Sequence, residues 1–362
     1  MQFRNSYPKI GYVPYTSNLS HPADRRRLAA WAKYCQNSLN TEHPEKSDVT
    51  VLSNAANFGK WMKKCEGKII LDLVDGYLGE QPSFTKDFFR NCLRSFNGTS
   101  SLRWITYTRH LKYACVRADA IVVTSQEQLE SISHLNQSIR IIPDIHLEFE
   151  NKIKNAKTSV KDNTSESENI SILWEGFGYT LKNLKSIAKP LDNFLNENKV
   201  TLFLVTNISF PRWGGFLGKI VTSDLVNSWF PKSAKQVRII PWSIDNLVKC
   251  ASESKFAIIP INLTDKFASL KSENKLISMW RLGLVTFFSP IPSYSRVASK
   301  AGLAELCLAD NQWEEKLKLA LREAIDFREL QNRASHFLEV EYSFEGLLSK
   351  WDLLLKEIAS RD

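Results

Sequence analysis

The strongest constraint on the fold is an alternation along the chain. Short aliphatic and β-branched runs take turns with longer stretches of helical period, the pattern of repeated βαβ units around a parallel sheet. Strands are expected over Ile10 to Val13, Val49 to Leu52, Lys68 to Leu73, Ala120 to Thr124 and Arg140 to Ile142. Between the first two lies Asp24 to Cys35, where Leu28, Trp31 and Ala32 fall at i, i+3 and i+4, so an amphipathic helix is expected there.

The alternation stops once and then restarts. Residues 151–169 are rich in Lys, Asn, Ser, Thr and Glu and almost lack large apolar side chains, as a solvated linker does. After it, Ser171 to Trp174, Val200 to Thr206, Val237 to Ile240, Phe256 to Pro260 and Leu284 to Ser289 read as strands. Leu181 to Asn196 and Ile244 to Ser252 read as helices between them. A chain of 362 residues is also longer than one core usually serves. The expected organisation is an α/β domain over 1–150, the linker, a second α/β domain over 170–340, and a terminal segment 341–362. Within that segment Phe344 to Ile358 should form an amphipathic helix packing across the domains.

Composition excludes several classes. Hydrophobic residues at 43% and charged residues at 24% are those of an ordinary globular protein. With neither an N-terminal apolar h-region nor an apolar run of membrane-spanning length, a cytoplasmic location is expected. The six cysteines are scattered, without CxxC pairs or nearby histidines at ligand spacing, so neither a zinc site nor a disulfide framework is expected. A net charge of +9 suits an anionic partner without choosing between nucleotide phosphates, nucleic acid and acidic lipid. Trp213, Trp229, Phe230 and nearby lysines are candidates for peripheral contact with the inner face of a membrane, against a competing role in the core.

The usual phosphate-binding signatures GxGxxG and GxxxxGK[ST] are absent, as are HExxH, GxSxG and a DxD carboxylate pair. The densest alternative is Lys271-Ser272-Glu273-Asn274-Lys275, which follows an apolar strand and precedes a helix-like stretch. Backbone amides at a helix start, a hydroxyl, an amide and two ammonium groups can together neutralise a diphosphate.

That run continues as LISMWRLGLVTFFSPIPSYSRVASKAGL, and the whole segment resembles the donor-binding segment of retaining GT-B glycosyltransferases of the group-1, surface-polysaccharide type. Arg117-Ala-Asp-Ala-Ile-Val-Val-Thr-Ser125, Ile141-Ile142-Pro143-Asp144, the turn Pro241-Trp242-Ser243 and the closing Trp313, Arg328 to Val340 and Tyr342-Ser343 extend the resemblance. It implies two Rossmann-like domains facing each other with a C-terminal helix, and metal-independent transfer of a sugar from a nucleotide-diphosphate donor. The implied acceptor is a glycan or lipid-linked glycan, with retained configuration and no cofactor. Lys271, Ser272, Asn274, Lys275, Ser278, Trp242 and Ser243 then fall at donor-binding positions. The chain departs from the family where two glutamates are often found, since Leu270 and Ser278 occupy those positions, and where Val285 and Thr286 replace a Pro-Val turn.

For the reacting end, Trp174-Glu175-Gly176 with Lys182 resembles the family's first donor-domain strand and turn, where a cation can stabilise the leaving diphosphate. Lys182, Lys275 and Asp75 are the catalytic candidates. Asp72 and Asp75 end the strand before Gly76, and a carboxylate there can orient or deprotonate an acceptor hydroxyl. His21, Asp24 and Arg25, in the loop after the first strand, join Asp72 as acceptor-binding candidates. Two rival readings are a GT-B fold that binds nucleotide-sugar without catalysis, suggested by the missing glutamates, and a nucleic-acid-binding protein. The second lacks any clustered basic-aromatic recognition motif.

Overall fold

The computed structural model describes residues 7–78, 87–88, 91–92, 106–149, 170–212, 218–265, 267–322 and 325–361. The expected linker and Trp213 lie outside the described residues. The chain forms two compact units. The first gathers residues 1–147, 269–272 and 342–362, the second 148–268 and 273–341.

The first unit is built on a parallel sheet of β1 (Ile10–Val13), β2 (Leu39–Asn40), β3 (Val49–Ser53), β4 (Lys68–Leu73), β5 (Ala120–Val123) and β6 (Ile139–Ile141), in the order β2-β1-β3-β4-β5-β6. Every residue of β3 and β5 is buried, as in a sheet covered on both faces. Successive side chains take opposite faces. Val49, Val51 and Ile70 join one core cluster with Trp31 of α2 (Leu28–Tyr34). Leu52, Ile69 and Leu71 join the other with Phe58 and Met62 of α3 (Phe58–Lys64) and Tyr107 and Leu111 of α4 (Tyr107–Arg117). A further helix, α5 (Gln126–Ile132), connects β5 to β6.

The helix expected from Asp24 to Cys35 is two helices, α1 (Pro22–Arg25) and α2, because Arg27 leaves helical geometry at φ −127°, ψ −123°. Its fully buried guanidinium turns inward. Nε donates to both Asp72 carboxylate oxygens at 2.7 and 2.8 Å, and Nη1 donates to Ile142 O at 2.8 Å and Asp144 Oδ1 at 3.2 Å.

The second unit repeats the plan with β7 (Ser171–Glu175), β8 (Thr201–Thr206), β11 (Val237–Pro241), β12 (Phe256–Ile259) and β13 (Thr286–Phe288), all parallel, in the order β11-β8-β7-β12-β13. An antiparallel hairpin of β9 (Ser209–Pro211) and β10 (Lys219–Val221), not foreseen in the sequence, follows β8. The expected helix from Leu181 to Asn196 is also split, into α6 (Lys182–Lys185) and α7 (Ala188–Asn198). Pro190, in the first turn of α7, has no N–H to continue the earlier helix. The remaining helices are α8 (Thr222–Trp229), α9 (Ile244–Ser252), α10 (Asn274–Arg281), α11 (Pro292–Lys300), α12 (Trp313–Leu321) and α13 (Phe327–Glu341). Phe230, offered as a membrane contact, is fully buried, so its ring serves the core.

The last helix, α14 (Phe344–Ala359), follows the second unit in sequence but completes the core of the first. Leu347, Leu348, Trp351, Leu354, Leu355 and Ile358 pack in one cluster with Trp31, Tyr12 and Val51. At about 1.5–3 kcal/mol per fully buried large side chain, this face alone holds the helix in place.

Candidate functional site

In the second sheet the strand order reverses between β7 and β12, and open α/β sheets bind ligands outside the carboxyl ends of the strands at such a switch point. The loops that leave β7 and β12 are tied together there. Asn183 Oδ1 accepts from Asn262 N at 3.2 Å, and Ser289 Oγ, just past the neighbouring β13, accepts from Ile261 N at 2.9 Å.

Lys275, the second residue of α10, reaches back to the end of β7. Its Nζ donates to Glu175 O at 2.7 Å, lies 3.7 Å from Glu175 Oε2, and sits 5.3 Å from the centre of the Trp174 ring. A Cβ at Gly176 would stand 2.5 Å from Thr180 Oγ1 and 2.9 Å from Lys275 Nζ, so the glycine leaves this corner uncrowded. Trp242, just past β11, donates from Nε1 to Glu175 Oε1 at 2.8 Å. Phe177 stacks on Tyr179 with centroids 5.9 Å apart and tilts against Trp242 at 5.9 Å. Lys182 Nζ donates to Asp265 Oδ2 at 2.7 Å, joining the start of α6 to the loop after β12.

The switch point therefore gathers two ammonium groups, the amino end of α10, a glycine-containing turn and an aromatic surface. Phe177 and Asp265 belong to this group but were not singled out from the sequence, and Glu175 was named only as part of the Trp174-Glu175-Gly176 turn. Only their positions beside Gly176 and after β12 signal it, and the partners that reveal them lie far away in the chain.

Several sequence candidates have other work. Ser278 is buried and its hydroxyl donates to Asn274 O at 2.9 Å within α10. Glu273 is buried against Arg296 Nη2, which stands 3.3 Å from both of its oxygens. Ser243 accepts from Asn246 N at 3.0 Å and caps α9. The run Lys271 to Lys275 is divided, with Lys271 and Ser272 grouped with the first unit and Asn274 and Lys275 with the second.

In the first unit the acceptor assignments of Asp24 and Asp72 are corrected. Asp24 is fully buried and accepts from Tyr12 Oη at 2.7 Å, Tyr15 N at 2.8 Å, Thr16 N at 3.0 Å and Thr16 Oγ1 at 3.1 Å, which fixes the loop after β1. Asp72 is spent on Arg27. Burial pulls the Arg27 guanidinium down, and the Asp72 carboxylate more than offsets this, so Arg27 stays charged. His21 Nδ1 accepts from Ala23 N at 3.1 Å to cap α1, and its ring stacks on Tyr15 at 4.6 Å. Arg25 Nη1 donates to Ser20 O at 2.7 Å.

Asp75 differs from both buried carboxylates. It touches solvent at the end of β4, yet the surrounding protein displaces enough water to push its carboxyl up to about 6, with Lys271 pulling it down and Asp144 adding to the rise. A group balanced there can take up or release a proton near neutral pH.

No family model and no curated protein sequence matches the chain. Solved structures do. The chain is similar to WaaG, a glycosyltransferase involved in lipopolysaccharide biosynthesis, at 12% identity, with 97% of this chain and 100% of that chain covered and a TM-score of 0.56. An α-glucosyltransferase in complex with UDP aligns at 11% identity over 96% of this chain and 100% of its own, with a TM-score of 0.59. A glycosyltransferase from Rickettsia africae aligns at 12% identity over 99% of this chain and 100% of its own, with a TM-score of 0.58. The chain spans about half of another neighbour, TarM, covering 54% of it at 12% identity with a TM-score of 0.55 and 85% of this chain aligned. The chain has the GT-B glycosyltransferase fold, an α/β architecture with Rossmann-like sheets and a C-terminal helix.

Proposed function

We propose that this chain is a glycosyltransferase that moves a sugar, with retention of configuration, from a nucleoside-diphosphate donor to a hydroxyl of a glycan or lipid-linked glycan. The observation that carries this reading is the convergence of Lys275, the start of α10 and the Gly176 turn at the switch point of the second sheet. A helix start and an ammonium group are the features that hold a diphosphate and offset the charge that builds on it as it departs.

In this mechanism Lys275 exchanges part of its contact with Glu175 for a phosphate oxygen. Lys182 does the same with Asp265, since an ion pair with an exposed ammonium is worth little and yields readily to a stronger anion. Phe177, Tyr179 and Trp242 offer ring surface to the base or sugar. Asp75 accepts the proton of the acceptor hydroxyl.

A thermal-shift series with UDP, GDP, ADP, CMP and dTDP, with and without a chelator, tests the donor site. One diphosphate should stabilise the fold whether or not the chelator is present, as a ligand bound only by the folded state does. Lys275→Ala should abolish that shift and lower kcat by roughly a hundredfold while leaving the unliganded melting temperature unchanged. Stabilisation without release of nucleoside diphosphate, with or without acceptors, would leave a nucleotide-sugar-binding protein in place of an enzyme.

A further inference from the structure

We propose that the segment Ser269–Ser272 belongs to the reaction site of the first unit, and that Lys271 acts there as a positioning residue that holds Asp75 in its ionised form. The inference rests on the proposed role of Asp75 as the group that takes the acceptor's proton. In the sequence Lys271 and Lys275 stand in one basic run and look like a single phosphate clamp. The fold divides them. The chain leaves the second unit after Ala268, joins the first over Ser269–Ser272, and returns at Glu273 just before α10.

This segment is fixed at the carboxyl ends of β4 and β5. Gln128 of α5 is buried, and its Oε1 accepts from Thr124 N at 3.0 Å and Thr124 Oγ1 at 2.8 Å. Because a backbone N–H only donates, the orientation of the amide is set, and its Nε2 is left to donate to Leu270 O at 3.1 Å. Leu270 also fills the space beside Gly76, where any Cβ would collide with the leucine's own Cβ. Asp75 precedes Gly76 and Lys271 follows Leu270, so this contact brings the lysine alongside the carboxylate.

The groups that face Asp75 are Lys271 from this segment, Asp144 from the stretch after β6, and the phenols of Tyr15 and Tyr77, whose oxygens lie 3.1 Å apart. Lys271 is the cation of the group. Burial and the like charge of Asp144 push the Asp75 carboxyl up, and the ammonium of Lys271 pulls against them, so that it settles at about 6 and is ionised at neutral pH. Transfer needs that ionised form. The acceptor's O–H proton passes to Asp75 as its oxygen bonds the anomeric carbon, and the anomeric bond to the diphosphate breaks with its electron pair on the leaving group.

The test is an NMR titration of aspartate carboxyl carbons in the full chain, with Asp75 assigned by the signal lost in Asp75→Asn. Lys271→Gln should raise the Asp75 midpoint from about 6 by roughly one pH unit, and Lys271→Arg should leave it in place. Gly76→Ala, which displaces the segment with Lys271 intact, should raise the midpoint as well. In a transfer assay Lys271→Gln should lower kcat/KM roughly fivefold at about pH 6 and hardly at all at about pH 8. The nucleotide-induced thermal shift should persist in both Lys271 variants. An unmoved midpoint in Lys271→Gln, an equal rise in Lys271→Arg, or loss of the nucleotide shift in Lys271→Gln, which would make Lys271 a phosphate ligand, would overturn the proposal. The titration needs neither donor nor acceptor, so a chain that transfers no sugar would end the proposed function while the midpoint still decides whether Lys271 governs the Asp75 proton.

Discussion

Asp72 and Asp75 lie three residues apart on one strand end and do different work. Asp72 answers a buried guanidinium, so Asp72→Asn should cost up to about 3–5 kcal/mol in denaturant unfolding by leaving Arg27 with only the longer contact to Asp144 at 3.2 Å as its counter-charge. The case of Asp75 is different. Its carboxyl sits near 6 in the fold against an ordinary 3.8, so the folded state favours the protonated form. The contribution to stability is therefore present below about pH 4 and is lost as pH rises through about 6. Asp75→Asn should melt higher than the parent above pH 6 and no differently at pH 4, as a pH series of melting curves would show. If Asp75 is the base, the parent's kcat/KM should also rise through about pH 6 and the variant's should not. The sequence pointed to the strand end but could not distinguish these two aspartates. What separates them is Arg27, which is 45 residues from Asp72 along the chain.

At the scale of elements, the sheets were legible and the helix breaks were not. Val49 to Leu52 and Ala120 to Thr124 read as strands because a sheet covered on both faces needs unbroken apolar runs, and those runs are local in sequence. The break at Arg27 answers to a buried carboxylate from another strand, which no local periodicity reports. The β9–β10 hairpin has mixed exposure over three residues a strand, too short for a period of two to stand out. Helix α14 was legible as an amphipathic helix, but its partner was not, because a buried stripe does not say which core it fills. Trp351 lies against Trp31 and Val51 and beneath Arg27, whose guanidinium carbon is 5.8 Å from the centre of its ring. Trp351→Ala should therefore lower stability by about 3–5 kcal/mol in equilibrium unfolding. Hydrogen-exchange protection should fall in β1 and β3, not in β7 and β8.

For the molecule as a whole, the repeated βαβ plan was readable because it recurs on either side of a polar stretch. The candidate donor site was only partly readable. Lys275 and Lys182 stood out as cations near helix starts, but the bonds that Ser278 and Ser243 make within their own helices did not, because a hydroxyl that serves its own helix looks no different in sequence from one that serves a ligand. The placement of α14 also bears on synthesis. The residues that close the core of the first unit leave the ribosome after all of the second unit. Until they do, the amino-terminal unit must wait with Trp31, Tyr12 and Val51 uncovered on one side, while the second unit is free to fold as soon as Glu341 emerges.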